Sequence, residues 1–203
     1  MLSQSFINIF SQMGPTLCVI VCSILPILET KIGIPLGIDS SLFGESALSL
    51  LNSFLIAIIS STIMSILLVI FFHFCFKKSK KKTFQNKFTK LLEKPIKKLQ
   101  NISRAKKIFW CIMLVFLPVP FSGIYGAAIL CALIKLKLCD SIISVLIGNA
   151  LSSFVEFLAC WILKPYISLF LCIMIILITL TLLYQLIAFV FEKIAKKLPK
   201  NTE

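Results

Sequence analysis

The sequence has few charged residues and very few acidic ones. Charged residues make up 14% of the 203 positions, and only eight positions are aspartate or glutamate. A soluble domain usually contains about 25% charged residues. A soluble domain of this size also cannot bury the apolar surface of a sequence in which 59% of the residues are hydrophobic. The composition therefore excludes a soluble globular enzyme, a disordered chain and a collagen-like repeat, and it predicts an all-α membrane protein with one membrane domain.

Motifs for metal binding and catalysis are missing as well. The chain has one histidine, no cysteines in CxxC spacing, no Walker loop and no G-x-S-x-G element. Its eight cysteines lie in or beside apolar stretches, where we expect them to act as small packing residues. The sequence therefore predicts no enzymatic activity, no cofactor and no metal.

Three apolar stretches are long enough to cross a bilayer, because about 20 helical residues span its ~30 Å core. They are residues 46–76, 141–163 and 166–191. Two shorter apolar stretches, 16–25 and 108–117, run directly into segments that contain prolines and glycines. Half-length helical arms separated by helix breakers predict two re-entrant hairpins, in addition to about three full transmembrane helices.

Positive charge is concentrated between the two halves of the chain. Residues 77–107 carry 13 lysines and arginines against one glutamate, and residues 192–203 form a smaller basic tail. By the positive-inside rule both basic segments are expected to be cytoplasmic. There they would attract anionic lipid head groups, and we do not expect nucleic acid as a partner. Since residues 141–191 make one round trip across the membrane, residues 108–137 must begin and end inside.

The same order of elements recurs along the chain. A shift of 92 residues aligns the break at Leu25-Pro26-Ile27 with the break at Leu117-Pro118-Val119. Each break precedes a long span, and the charge bias orients the two spans in opposite directions. This pattern predicts an inverted repeat, an arrangement typical of transporters; chance similarity of two apolar segments is the alternative. The first half-repeat is residues 1–76, and the second, with the final transmembrane helix, is 108–191. Amphipathic interfacial helices are predicted near the N-terminus and within the basic loop 77–107.

Residues around both breaks resemble a known family. The run from Pro26 to Gly37 is similar to the P-x-x-E-x-[RK]-G-A-I-P-x-G element of the small multidrug export protein family. The second element of that family, P-x-P-G-T-G-x-W, is similar to four residues of the second break: Pro118, Pro120, Gly123 and Tyr125. This family is in turn similar to the DedA superfamily of bacterial membrane proteins. The resemblance implies a multi-pass transporter of the bacterial inner membrane with two re-entrant hairpins, and some superfamily members translocate lipid phosphates.

Glu29 is the residue most expected to have a function. A charged group at membrane depth costs about 2.5–3.5 kcal/mol to insert, so it needs a partner or a task. Lys31 lies two residues away. The low dielectric of the membrane favours the neutral form of the Glu29 carboxyl group, and a nearby ammonium group favours its charged form. This balance would let Glu29 exchange protons, or bind substrate together with Lys31. The alternatives are a structural ion pair at the hairpin tip and a carboxylate at the outer interface.

Other candidate proton- or substrate-binding residues lie at the breaks and in the second long span. Unpaired backbone groups at the breaks are expected to attract an anionic head group, the alternative being a kink without a ligand. Glu156 either faces the same site or pairs with Lys164. Asn149 either belongs to the site or packs between helices with its small neighbours, Gly148, Ser152 and Ser153. The remaining candidates are Pro35, Pro118, Pro120, Ser122, Gly123 and Tyr125.

Together, these observations predict a secondary transporter or lipid translocase that is coupled to protons and moves a small amphipathic or anionic head-group substrate. The expected partners are membrane lipids, with anionic head groups at the cytoplasmic face. The alternative is a non-transporting scaffold or assembly factor that acts through the basic loop 77–107. The oligomeric state is not determined by the sequence, because three full spans do not establish whether one chain encloses a pathway. A monomer and a homodimer are the two alternatives.

Overall fold

The computed structural model describes residues 13–26, 28–78, 99–116, 123–177, 179–180 and 183. Within these residues the regular structure is helical, and no strand is present. Several sequence-based expectations fall outside the described residues. These are the N-terminal amphipathic helix, nearly all of the helix expected in the basic loop, the basic tail, and the side chains of Pro118, Pro120 and Ser122.

The first half of the chain contains two short helices, a single helical turn and one long helix. In chain order they are α1 (Pro15–Ile24), α2 (Glu29–Gly37), α3 (Ser40–Phe43) and α4 (Leu50–Lys78). A proline at the first position of α1 is tolerated because that position needs no N–H donor inside the helix. The side chain of Asp39 caps α3 by accepting a hydrogen bond from the backbone N–H of Ser41 at 2.9 Å.

The second half repeats the order of two short helices followed by a long one. Its helices are α5 (Arg104–Phe116), α6 (Ile124–Leu133), α7 (Leu138–Ile162) and α8 (Lys164–Leu177), the last beginning with a 3₁₀ turn. Helix α6 ends in a Schellman motif with Lys135 in the left-handed conformation, at φ 55°. The amides of Lys135 and Leu136 there bond the carbonyls of Ala132 and Cys131 at 3.2 and 3.0 Å.

Helices α1 and α2 form a hairpin. Leu25 precedes a proline and is extended, with ψ 136°, as the steric restriction before proline requires. Two glycines of α2 then lie against α1. A Cβ on Gly33 would come within 2.5 Å of Ser23 Oγ, and a Cβ on Gly37 would come within 2.4 Å of Val19 Cγ2. Because later residues of α2 face earlier residues of α1, the two helices run antiparallel.

Helices α5 and α6 form a second hairpin. The thiol sulfurs of Cys111 and Cys131 are both buried and lie 3.1 Å apart between the two helices. Just before α5, the side-chain amide of Gln100 donates a hydrogen bond to the carbonyl of Leu133 at the end of α6, at 2.8 Å. The beginning of one arm therefore faces the end of the other, so these helices are also antiparallel.

The two long helices pack against each other and hold both hairpins. Their contact includes the rings of Phe54 on α4 and Phe157 on α7, whose centroids are 5.0 Å apart. Helix α4 also contacts α6 of the second hairpin, and α7 contacts α2 of the first. Each hairpin thus touches the long helix of its own half and the long helix of the other half.

The outward faces of the long helices are apolar. On α4 the exposed large side chains recur every three or four residues: Leu51, Leu55, Ile59, Ile63, Leu67, Phe71 and Phe74. Such a stripe is unfavourable in water, but it is the expected surface in hydrocarbon. The segments Leu50–Phe76 and Leu138–Ile162 are long and apolar enough to cross a membrane.

The expectation of an all-helical chain with long apolar helices is confirmed. The first predicted span, 46–76, begins later than expected because a 3₁₀ turn, Gly44–Ser46, and an irregular stretch precede α4. The second, 141–163, begins three residues earlier, at Leu138. The third is described as a helix only as far as Leu177, apart from a few later residues. Re-entrant insertion and an inverted repeat stay predictions.

Candidate functional site

The two hairpins meet at their tips, where Glu29 contacts the start of α6. Its Oε1 accepts a hydrogen bond from the backbone N–H of Ile124 at 3.1 Å. The adjacent Gly123 is buried, and a Cβ at this position would lie 2.1 Å from both carboxylate oxygens. A side chain there would therefore displace the carboxylate. Nearby, the Tyr125 hydroxyl donates a hydrogen bond to the carbonyl of Ile24 at the end of α1.

This contact gives a partner to the start of α6. The first backbone N–H groups of a helix have no acceptor within the helix and carry partial positive charge, so they favour an anion. The Ile124 N–H at the start of α6 is bound by the carboxylate of Glu29, which belongs to the other hairpin of the same chain. Binding of an anionic head group at the breaks stays a prediction.

Glu29 also forms an ion pair with Lys31. The Lys31 Nζ lies 3.6 Å from Glu29 Oε2, and the two side chains are only 12% and 9% exposed. Glu29 adopts the left-handed backbone conformation, with φ 49°, which is rare for glutamate. Such a conformation costs of order 1–3 kcal/mol and persists only where other contacts maintain it. The tip ion pair is thus observed, and proton or substrate handling by Glu29 stays a prediction.

Glu156 approaches the same place from α7. Its Oε1 accepts a hydrogen bond from Ser152 Oγ, one turn earlier, at 3.1 Å. The Thr30 side chain lies beside the carboxyl group, and Glu29 and Lys31 are near enough to interact with it electrostatically. The second oxygen of Glu156, Oε2, is buried and has no hydrogen-bond partner within the part of the chain that the structure describes.

Hydroxyl groups complete the contact between α2 and α7. Ser153 Oγ donates a hydrogen bond to Thr30 Oγ1 at 3.4 Å. Ser153 lies three residues beyond residue 150, the midpoint of the 25-residue helix α7, or ~4.5 Å along the helix axis. This group of residues, here named the tip cluster, consists of Glu29, Thr30, Lys31, Ser152, Ser153 and Glu156. It lies beside the middle of a helix long enough to span a bilayer.

Other predicted site residues are placed elsewhere. The Asn149 side-chain amide donates a hydrogen bond to Ser61 Oγ on α4 at 2.9 Å, so it joins the two long helices, in agreement with the packing alternative. Pro35 is fully buried in the last turn of α2. Lys164, the alternative partner of Glu156, is exposed in the turn that follows α7.

One ion pair outside the tip cluster is absent from the sequence-based predictions. Arg104, the only arginine of the chain, binds Asp140 through two hydrogen bonds, of 2.7 Å from Nε and 2.5 Å from Nη2. Hydrogen bonding to this carboxylate raises the pKa of the Arg104 guanidinium. The pair connects the starts of α5 and α7. Its only sequence signal is that both residues lie close to the cytoplasmic ends predicted for these segments.

Thr30 is also missing from the predicted site, and Ser152 and Ser153 are expected only to pack between helices. A signal for all three was present, since Thr30 follows Glu29 directly and the serines precede Glu156 by four and three residues. Residues three or four positions apart share a face of a helix, so both serines lie on the same face of α7 as Glu156.

The tip cluster combines two carboxyl groups with one ammonium group. If both carboxyls were ionised, the three charges would sum to −1. Among the described residues, no group of three or more histidine, cysteine, aspartate or glutamate side chains is arranged to hold a metal ion. This arrangement allows a carboxyl group to gain or lose a proton. It also allows a charged ligand to replace one member of the Glu29–Lys31 ion pair.

Residues 29–155 match a family model described as "Putative small multi-drug export protein". The match covers 127 of the 203 residues, including α2 of the first hairpin, α4, the second hairpin and most of α7. It begins at Glu29 and ends one residue before Glu156. No curated protein and no solved structure matches the chain.

Proposed function

The chain belongs to the small multi-drug export family, and from this premise we propose that it is a secondary transporter or lipid translocase of the bacterial inner membrane. It moves a small amphipathic or anionic head-group substrate, is coupled to protons, and catalyses no covalent reaction. Family membership and two helices able to cross a bilayer support the membrane setting.

The observation that carries this proposal is the position of Glu29 between the two hairpins. The carboxylate contacts Lys31 on its own hairpin and the Ile124 N–H on the other. Ionisable groups at membrane depth are rare, and they usually line the pathway of a substrate or ion. Broken helices whose ends meet near the midplane are likewise a common architecture of transporter binding sites.

The proposed mechanism uses the tip contact as a gate. The two hairpins enter from opposite sides of the membrane, in the inverted repeat that the charge distribution predicts. When the Glu29 carboxylate leaves α6, the N–H groups at the start of that helix become free to bind an anionic head group. Return of Glu29 then displaces the head group and closes the contact.

Substrate-driven proton flux tests this function. The protein is reconstituted in liposomes that contain a pH-sensitive dye, and candidate lipid phosphates and cationic drugs are added. We expect flux in the wild type, and flux at the level of empty liposomes in Glu29→Gln, because the variant loses the ion pair with Lys31 and weakens the bond to α6. Glu45→Gln is the matched control, since Glu45 is exposed and lies in the turn before α4.

Unchanged flux in a correctly inserted Glu29→Gln protein would contradict this mechanism. The scaffold alternative is supported by the 13 basic residues of segment 77–107 and predicts the opposite pattern. Under it, replacing five of the loop lysines by glutamine abolishes function while Glu29→Gln has no effect.

A further inference from the structure

The two glutamates of the tip cluster have different surroundings. Glu29 accepts a backbone hydrogen bond from Ile124 and lies 3.6 Å from the Lys31 ammonium, so each of its oxygens has a cationic or polar partner. Glu156 has the Ser152 hydroxyl at Oε1 and the Thr30 hydroxyl beside its carboxyl group. Its buried Oε2 has no hydrogen-bond partner among the described residues. A carboxylate has about four acceptor sites to satisfy. Glu29 has an ammonium group and a helix-start N–H as neighbours, whereas Glu156 has hydroxyl donors.

These surroundings favour different protonation states. A backbone N–H at a helix start and a nearby ammonium both stabilise a negative charge. A buried oxygen without a donor destabilises a negative charge far more than it destabilises a neutral carboxyl group. In addition, one ammonium cannot fully compensate two neighbouring carboxylates, so ionisation of Glu29 disfavours ionisation of Glu156.

No other described cation near Glu156 compensates its charge. From α2 the titratable groups that face it are Glu29 and Lys31, and from its own helix the neighbouring titratable group is the Cys160 thiol. Helix α4 contributes Phe54, which packs against Phe157, and Ser61, which bonds Asn149. The side chain of Lys164 is exposed beyond the end of α7.

We propose that Glu156 is the proton-carrying residue of this protein, holding a proton near neutral pH, while Glu29 stays ionised and holds the hairpin tips together. The two carboxyl groups thus divide the tasks of proton binding and gating. Glu156 lies one residue beyond the family match, which ends at 155. The protonation state proposed for Glu156 does not depend on transport activity, whereas its role in proton coupling rests on the proposed function.

Infrared spectroscopy tests the protonation state directly. A neutral carboxylic acid has a carbonyl stretch separate from that of a carboxylate, and the band shifts in D₂O. Ordinary aspartates and glutamates, with pKa values of about 4, do not contribute such a band near neutral pH. In an ester-free detergent we expect the band in the wild type and in Glu45→Gln, and its loss in Glu156→Gln. A wild type without the band, or a band that persists in Glu156→Gln, would overturn the assignment.

Thermal unfolding separates the two roles by a second measurement. Glutamine resembles a neutral glutamic acid in shape, so Glu156→Gln should unfold at the wild-type temperature near neutral pH. Glu29→Gln should unfold at a clearly lower temperature, because it removes a charge that Lys31 and the start of α6 both bind. An unfolding temperature that is lower for Glu156→Gln than for Glu29→Gln would overturn the division of tasks. The two temperatures can be compared even if either protein expresses poorly.

Substrate counterflow tests the coupling role. In Glu156→Gln, exchange of labelled for unlabelled substrate should persist while substrate-driven proton flux is lost, because the site moves but carries no proton. Unchanged proton flux in this variant would contradict a coupling role for Glu156. If the wild type shows no counterflow, the proposed function fails, and the infrared result still decides the protonation state.

Discussion

The absence of a side chain at Gly123 leaves the space that the Glu29 carboxylate fills. Glu29 and Gly123, which are more than 90 positions apart in the sequence, are therefore complementary in shape where they meet. Lack of space therefore excludes a side chain at Gly123 while Glu29 occupies this position.

We expect Gly123→Ala to destabilise the protein by about 1–3 kcal/mol, the usual cost of forcing extra volume into a packed site. The added Cβ would lie 2.1 Å from both Glu29 oxygens. In a Glu29→Ala background the same substitution should cost less than it does in the wild type, since the clashing group is gone. Chemical unfolding of the four proteins in detergent measures the coupling, and additive effects would show that the two residues do not meet.

At the scale of the helices, packing depends on small polar residues. Asn149 and Ser61 connect α7 to α4 through a 2.9 Å hydrogen bond, and Ser53 Oγ on α4 donates a 2.9 Å bond to the Ile34 carbonyl on α2. Gly148 lies against α5, where a Cβ would come within 2.7 Å of Val115. In lipid, close approach and interhelical hydrogen bonds replace much of the hydrophobic driving force.

A double-mutant cycle on Asn149→Ala and Ser61→Ala should give a coupling of about 0.6 kcal/mol, and no more than roughly 1.7 kcal/mol, the range for interhelical hydrogen bonds in membranes. Ser60 is the matched control, because its hydroxyl bonds the Ile56 carbonyl of its own helix. A cycle with Ser60→Ala should therefore show no coupling to Asn149. Equal coupling in both cycles would argue against a specific α4–α7 bond.

At the scale of the whole molecule, the distribution of charge predicts the orientation in the membrane. The net charge is +13, and the segment 77–107 contributes +12 of it, from 13 basic residues and one acid. If this segment is cytoplasmic, as the positive-inside rule predicts, the second hairpin would enter from inside and return, and the first would enter from outside. The tip contacts would then lie between two hairpins that enter from opposite sides.

Cysteine labelling tests this topology. The exposed Cys75, Cys139 and Cys172 are first replaced by serine, and this background protein serves as the unlabelled control. Single cysteines are then introduced at four exposed positions: Glu45, Asn101, Lys137 and Lys164. We expect a membrane-impermeant maleimide to label intact cells at positions 45 and 164, and to label positions 101 and 137 only after the membrane is disrupted. Labelling of 101 and 137 from opposite sides would exclude a re-entrant second hairpin.

Much of the fold follows from local features of the sequence. Long apolar stretches predict α4 and α7 because only hydrocarbon accommodates so much exposed apolar surface. Pro26 predicts the break after α1, because the residue before a proline avoids the helical conformation. The helical state of Glu29–Gly37 was harder to predict, since this segment contains two glycines and a proline. It is helical because both glycines lie close against α1 or α4, a contact that only the folded chain provides.

By itself, the sequence determined the class of the protein, its long apolar helices, its family resemblance and Glu29 as a candidate, since hydropathy, helix breakers and an isolated acid are readable one segment at a time. The tertiary structure alone decided the partners. It placed Glu29 on the start of α6, brought Glu156 to Thr30, and assigned Asn149 to Ser61. These contacts join residues 88 to 126 positions apart. Which residues pair depends on how both hairpins pack against both long helices. This packing cannot be deduced from the sequence of any single segment.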